Sequence, residues 1–453
     1  RLRQLLESGK KVVLNAKVEG IGLEPYEMDV VVAHIRGAEK PDEVLVFSAH
    51  LDHPKESAND NASGSAAILD IAGTLKKLIA SGRLARPKRS LRFIWVPEWY
   101  GTMAYIDKHP EMVGPDLGGK FLANMNMDMV GENLELIHSK LILTRTPDSM
   151  PSVVNDVVEN MAEMVDRMEI RTPRGSQSAF NYRVTPYSGG SDHIMFIERK
   201  IPGVMFSHSP DYTHHTSEDT PGKVDPVELE RCEIIATGAM IYLANLTEAQ
   251  AIELANLAAG NATGRFGDAF RRASGQIQVA SDGRIYVAVP EAQNMLAHIR
   301  DREKATLNSV LYFHNGERIR SHIKMLASQI DRQAAENEST LLTFAKTYDY
   351  QTSRLPARPE MRDDRVPVRT TRGPLDFSLP ASKLSGADAS WYTSPQFTLN
   401  GNQRFELVNF VDGKRTVSEI SNALSAEYGP VDLAVVSRYF NDLVKVDAMK
   451  WKE

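Results

Sequence analysis

Short apolar runs, each ending in a polar loop that carries reactive side chains, set the narrowest limits on how this chain can fold. Val44-Leu45-Val46-Phe47 leads into His50-Leu51-Asp52 and then Asn59-Asp60-Asn61-Ala62-Ser63-Gly64. The run 90–96 ends in Pro97-Glu98-Trp99-Tyr100-Gly101, and the run 121–127 delivers Asp128. A fourth, 202–206, precedes a loop with Asp211, Tyr212, His214 and His215. Apolar runs of this length, bounded by turn residues, read as buried strands. Between them, residues 66–79 place Ile68, Leu69, Ala72, Leu75 and Ile79 on one helical face, and 153–168 and 227–246 repeat the pattern. Strands alternating with helices predict an α/β fold: a mostly parallel central sheet with helices on both faces. Ligand groups in such a sheet gather beyond the carboxyl ends of the strands. His50, Asp52 and Asp60 follow one such end, and histidine with carboxylate suits zinc.

These segments resemble the M28 family of zinc aminopeptidases, which has the phosphorylase/hydrolase-like fold. The likeness runs through His50-Leu51-Asp52, Asn59-Asp60-Asn61, Pro97-Glu98, Asn126-Met127-Asp128-Met129-Val130-Gly131, Ser191-Asp192-His193 and His215-Thr216, in the family's order. It covers roughly residues 20 to 248. The resemblance implies that His50 and Asp128 hold one zinc, that Asp60 bridges two, and that His215 helps hold the second. It makes Glu98 the general base and Asp52 the carboxylate that orients the first histidine, a common way of fixing its tautomer. One position departs. The family has two consecutive glutamates, a base and then a ligand of the second zinc, where this chain has Glu98-Trp99. An indole offers only a donor. The second metal keeps Asp60 and His215 from the pattern, short of the three protein ligands usual for catalytic zinc. Four outcomes stay open: Glu98 as ligand, a substitute among His53, His214 and Glu218, a single tightly held zinc, or lost catalysis.

The expected activity is zinc-dependent removal of N-terminal residues from peptides with a free N-terminus, through a metal-activated water. Two rivals are a non-catalytic binding protein on the same fold and a metallo-carboxypeptidase. The second needs a basic pocket, to which Arg174, Arg183 and Lys223 are the candidates. A glutaminyl cyclase is less attractive, because that branch uses the glutamate replaced by Trp99. Ser191-Asp192-His193 has the composition of a nucleophilic triad, but triad partners meet from separate segments. By resemblance, Asp192 and His193 brace the loop near the metals. Gly189-Gly190 reads as a tight turn, since no phosphate-loop or dinucleotide motif is present. Tyr187, Trp95 and Trp99 read chiefly as packing residues, with Trp99 also a candidate pocket wall. His208 and His214 read as solvated or as supports behind the ligands.

The 453 residues are 42% hydrophobic and 25% charged, ordinary for a soluble chain of two or three domains. A formal net charge of −6 argues against a general nucleic-acid binder, and no apolar stretch is long enough to span a bilayer. The single cysteine, Cys232, sits in a helical pattern and reads as a buried, inert thiol. Residues 1–247 are expected to form the peptidase domain, with 1–19 similar to the end of a protease-associated domain. That likeness leans towards a secreted or periplasmic protein. Residues 248–350 read as helical, a lid or a dimerisation element being open alternatives, and 351–385 as a Pro-rich linker. Residues 386–453 are similar to a winged-helix module. Asp432, Asp442 and Asp447 dilute its basic residues, so packing or protein contact is expected in place of DNA binding. Any oligomer would form through these C-terminal parts.

Overall fold

The sheet is built from runs that exclude water on both faces. In a computed structural model, which describes residues 2–17, 19–20, 22, 27–172, 177–280, 284–351 and 362–453, a short helix α1 (Leu2–Glu7) precedes strands β1 (Val31–Ile35) and β2 (Lys40–His50). Then come α2 (Gly64–Ala80), β3 (Arg89–Val96), α3 (Tyr100–Lys108), β4 (Phe121–Met127), α4 (Leu134–Ile137), β5 (Lys140–Thr144) and α5 (Val154–Met168). After these follow β6 (Tyr182–Thr185), α6 (His193–Glu198), β7 (Gly203–Ser209) and α7 (Pro226–Asn245). The seven-stranded order is β1-β3-β2-β4-β7-β5-β6. β3, β2, β4 and β7 run parallel, while β1 is antiparallel to β3 and β5 is antiparallel to β7. Every residue of β4 is buried, as its unbroken apolar and amide sequence requires of a central strand.

One face of the sheet packs on α2, α5 and α7, the other on α3 and α6. Phe47 and Phe93 are fully buried and stack with ring centroids 4.9 Å apart. Burying such a side chain contributes about 1.5–3 kcal/mol. Cys232 lies in this core, where burial raises its thiol pKa well above the ordinary value.

Helices α8 (Glu248–Gln278), α9 (Ile285–Ser309) and α10 (Glu317–Lys346) pack on one another. They extend the same core, so that Phe266, Leu296 and Ile323 belong to one apolar cluster with Phe47 and Ile235. A buried ionic tie reinforces the join. Arg265 of α8 bonds Asp156 of α5 at 2.8 Å and Glu303 of α9 at 2.9 Å.

The C-terminal part has its own core of Leu407, Ile420, Tyr439, Phe440 and neighbours. It comprises β8 (Pro367–Arg369), α11 (Leu379–Lys383), α12 (Gly386–Trp391), α13 (Gly401–Asn409), α14 (Val417–Tyr428), α15 (Leu433–Lys445) and β9 (Met449–Trp451). β8 pairs antiparallel with β9, and Leu375 joins the core, so part of the stretch expected as linker is structured. Three paired residues carry too little periodicity to announce a strand. Pro356 and Pro359 lie outside the described residues.

Glu406 of α13 docks this part onto the sheet domain, accepting hydrogen bonds from the Ser149 amide at 2.6 Å and hydroxyl at 2.9 Å. Burial pushes its pKa from 4.5 up to about 7; the Ser149 bonds oppose the rise and Asp148 adds to it. A carboxyl whose pKa is raised by folding favours the folded state below its unfolded pKa. That advantage is lost as pH climbs from 4.5 through about 7. Glu406→Gln keeps an acceptor but cannot ionise. Its melting temperature relative to wild type should therefore rise between pH 5 and pH 8, and a constant difference across that range would refute the assignment.

Candidate metal centre

Four parallel strands deliver the candidate residues to one end of the sheet. His50 is the last residue of β2, Glu98 lies two residues beyond β3, Asp128 immediately follows β4, and His215 sits in the loop after β7. Asp60 occupies a kinked turn, Ala58–Ser63, whose backbone leaves helical geometry at Asp60 and Asn61. The neighbours of Asp60 hold that turn against the end of β4. Asn61 donates to the Met127 carbonyl at 2.9 Å and accepts from the Gly64 and Met129 amides at 2.9 and 3.2 Å. The Asn59 side chain accepts from the Gly131 amide at 3.1 Å, and Ser63 accepts from that of Val130 at 3.0 Å.

Two groups of side chains meet at Asp60. His50, Asp60 and Asp128, all buried, form one; His53, Asp60 and His215 form the other. His50 Nε2 lies 3.1 Å from Asp60 Oδ1 and 3.4 Å from Asp128 Oδ1. The other oxygen, Asp60 Oδ2, lies 3.1 Å from His215 Nε2 and 3.6 Å from His53 Nε2. Tetrahedral zinc with bonds of about 2.0–2.2 Å separates its ligand atoms by about 3.3–3.6 Å. The distances from His50 to Asp60 and Asp128, and from His53 and His215 to Asp60, fit that spacing to within a few tenths of an ångström, with one Asp60 oxygen turned to each group. Asp128 Oδ1 is buried with no hydrogen-bond partner, an orphan that a cation would satisfy. Burial alone would lower the His50 pKa, yet the facing carboxylates of Asp128 and Asp60 push it up to about 11. The cluster attracts positive charge strongly.

Supporting contacts differ from the expectation in one respect. His50 Nδ1 pairs with the backbone carbonyl of Asp52 at 2.9 Å, while the Asp52 carboxylate stands 3.8 Å away. That carboxylate instead accepts the Glu98 amide at 2.6 Å. The chain turns sharply after β2, so the carbonyl reaches the ring first. Asp192 holds the next residue, accepting the Trp99 amide at 2.8 Å and the Thr102 hydroxyl at 2.7 Å. Burial lifts the Asp192 pKa to about 6 against these bonds. Glu98 is pushed up to about 7, by burial first and by Asp128 and Asp192, with His50 pulling it down. Trp99 packs beside Tyr187, Ile194 and Phe405, so the C-terminal part backs this wall of the site.

Asp219 is the residue that sequence reasoning passes over. Buried beneath the turn, it accepts the Asn59 and Asp60 amides at 2.8 and 2.9 Å and the Ser57 hydroxyl at 2.7 Å. A carboxylate four residues after His215 was the only available signal. Glu218, its neighbour, is exposed and lies in neither ligand group. His214 Nε2 comes within 3.4 Å of Asp60 Oδ2 but is also outside both groups. Ser191, Asp192 and His193 form no triad. Ser191 accepts from Asn126, and His193 Nε2 pairs with the Ser188 carbonyl. His208 is buried between the Met129 carbonyl and Glu228, a support for the loop after β4. Tyr187 stacks on Phe405 at 5.0 Å, a packing role.

A cavity of about 1040 Å³ opens beside the second group, lined by His53, Leu51, Ala62, Pro221 and Leu229 among others, none of them arginine. Arg183 is exposed on the edge strand β6, and Lys223 donates to the Glu218 carbonyl at 3.0 Å. Arg174 lies outside the described residues. Among the described residues no helix is long and apolar enough to cross a membrane.

Over part of its length the chain is similar to several known proteins. Carboxypeptidase Q of Xenopus laevis is 24% identical over 256 residues, 54% of this chain and 48% of its own length. A glutamate carboxypeptidase 2 homolog of Caenorhabditis elegans is 23% identical over 236 residues, 47% of this chain and 29% of its own. The chain thus spans less than half the length of these relatives. Among solved structures, a zinc aminopeptidase from Bacillus subtilis superposes with a TM-score of 0.38 at 22% identity, covering 48% of this chain and 50% of that one. A putative peptidase from Clostridium acetobutylicum covers 93% of this chain and 60% of its own, with a TM-score of 0.37 and 13% identity. The model of peptidase family M28 matches residues 30–240, the segment that runs from β1 into α7, and in that segment the chain is similar to peptidase family M28.

Proposed function

We propose that the protein is a zinc-dependent aminopeptidase that releases the first residue of peptides with a free N-terminus. One observation carries this reading: two three-residue ligand groups share Asp60 at the strand ends, with Glu98 within electrostatic reach of His50 and Asp128. Zinc held by His50, Asp60 and Asp128 would polarise the scissile carbonyl and lower the pKa of a bound water to roughly 7. Glu98 takes the proton of the attacking water on a carboxylate oxygen and hands it to the departing amine. Asp52 and Asp192 fix that glutamate from either side by gripping its own amide and that of Trp99. Asp219 holds the Asp60 amide, which keeps the shared carboxylate aimed at both groups.

The second reading is a metallo-carboxypeptidase, favoured by the names of the curated relatives. It requires a cation for the substrate's terminal carboxylate. Lys55 is the basic residue on the cavity, beside Glu56, which offsets its charge. Blocked peptides separate the two readings. Under the aminopeptidase reading, N-acetylation stops cleavage, since the ammonium loses its charge and hydrogen-bond donors, while C-terminal amidation has little effect. The opposite pattern would establish the carboxypeptidase.

A further inference from the structure

We propose that His53 takes the ligand place of the glutamate that Trp99 replaces, so that His53, Asp60 and His215 make a complete second metal site. The inference rests on the metallopeptidase reading above and goes beyond it, since the family pattern assigns no ligand to His53.

Its first support is geometric. His53 Nε2 and His215 Nε2 lie 3.6 and 3.1 Å from Asp60 Oδ2, and one ligand atom from each of the three residues lies within 4.8 Å of the others. The rings are tilted, with centroids 5.4 Å apart, so their nitrogens converge without stacking. The second support is the other ring nitrogen. His53 Nδ1 faces the Lys55 carbonyl at 3.3 Å. A carbonyl only accepts, so Nδ1 carries the proton and Nε2 keeps its lone pair for a metal, the usual way of setting a ligand's tautomer. The third is shielding. The His53 side chain is 17% exposed, against 43% for His214 and 65% for His215. His214 is the nearest competitor, but its ring lies against that of His215 at 3.7 Å and its nitrogen stands outside the group.

Three protein ligands match the count of a catalytic zinc site, with room for a fourth, exchangeable one. Two imidazoles with one shared carboxylate make a nitrogen-rich site. Such sites favour zinc, cobalt or nickel over magnesium and manganese, which prefer oxygen ligands. The change also frees position 99, where the indole packs beside Tyr187 and Phe405. His53 lines the cavity, so the second metal would face it directly.

Metal content, read by elemental analysis together with the visible absorption of the cobalt-loaded protein, tests the proposal without recourse to activity. The wild type should bind two equivalents of zinc or cobalt, and His53→Ala and His53→Gln should bind one. Their second-site affinity should fall by more than the roughly 10–100-fold that losing an outer partner of a ligand costs. Melting curves establish that the variants are folded. His214→Ala should keep both metals. Two equivalents retained by both His53 variants, or one equivalent in the wild type, would overturn the proposal while leaving a single-zinc peptidase intact. No zinc in any protein, even after reconstitution, would overturn it together with the metallopeptidase reading.

Discussion

Replacing Glu98 by glutamine should lower turnover by roughly 10²–10⁴-fold, the usual contribution of a positioned base, while fold and zinc content stay as they are. The two side chains have the same shape, and the contacts that place residue 98 are made by backbone amides. The substitution therefore removes one proton acceptor and little else. Burial and the neighbouring carboxylates hold the Glu98 pKa near 7, so the group can exchange a proton close to neutral pH. Because the base acts when ionised, wild-type kcat/KM should rise with pH as Glu98 loses its proton. The variant should lack that limb. Normal turnover with metal retained would take Glu98 out of the role of base, and loss of zinc would make it a ligand.

The parts of this architecture that could be read from sequence are those with a local signature. Helices α2, α5 and α7 follow from their apolar spacing, and the central strands from unbroken apolar runs. His50, Asp60, Asp128 and His215 could be singled out because each belongs to a short motif beyond a strand. What the sequence does not show depends on contacts between distant segments. Asp219 matters through two amides about 160 positions away along the chain, and nothing around it distinguishes it from any loop carboxylate. Asp52 was expected to orient a histidine, but the turn after β2 presents its carbonyl to the ring and sends its carboxylate to Glu98. The packing of Phe405 on Tyr187 links the C-terminal part to the wall behind Trp99, and no periodicity in either segment announces it.

Gly64→Ala should disable the site from a position that holds no ligand. A Cβ at residue 64 would sit 2.0 Å from the Met127 carbonyl oxygen and 2.3 Å from Asn61 Oδ1, too close for any contact between real atoms. Neither neighbour can yield cheaply. Met127 is the last residue of a fully buried strand, and Asn61 uses that same oxygen to hold the amides of Gly64 and Met129. Relief therefore requires α2 and its preceding turn to move away from β4. Asp60 rides on the turn and Asp128 follows β4, so that motion separates the two carboxylates that face His50 Nε2. Overpacking of this kind costs about 1–3 kcal/mol and sometimes more, which melting curves would register. The effect on function should exceed the effect on stability, because a displacement of about 1 Å at a reacting centre can cost on the order of 10²-fold in rate. Zinc affinity measured by chelator competition should fall along with turnover. A Gly64→Ala protein that melts like the wild type and keeps its zinc would mean that the turn and the strand end are not locked together, and the positional argument for Asp60 as the shared ligand would fail with it.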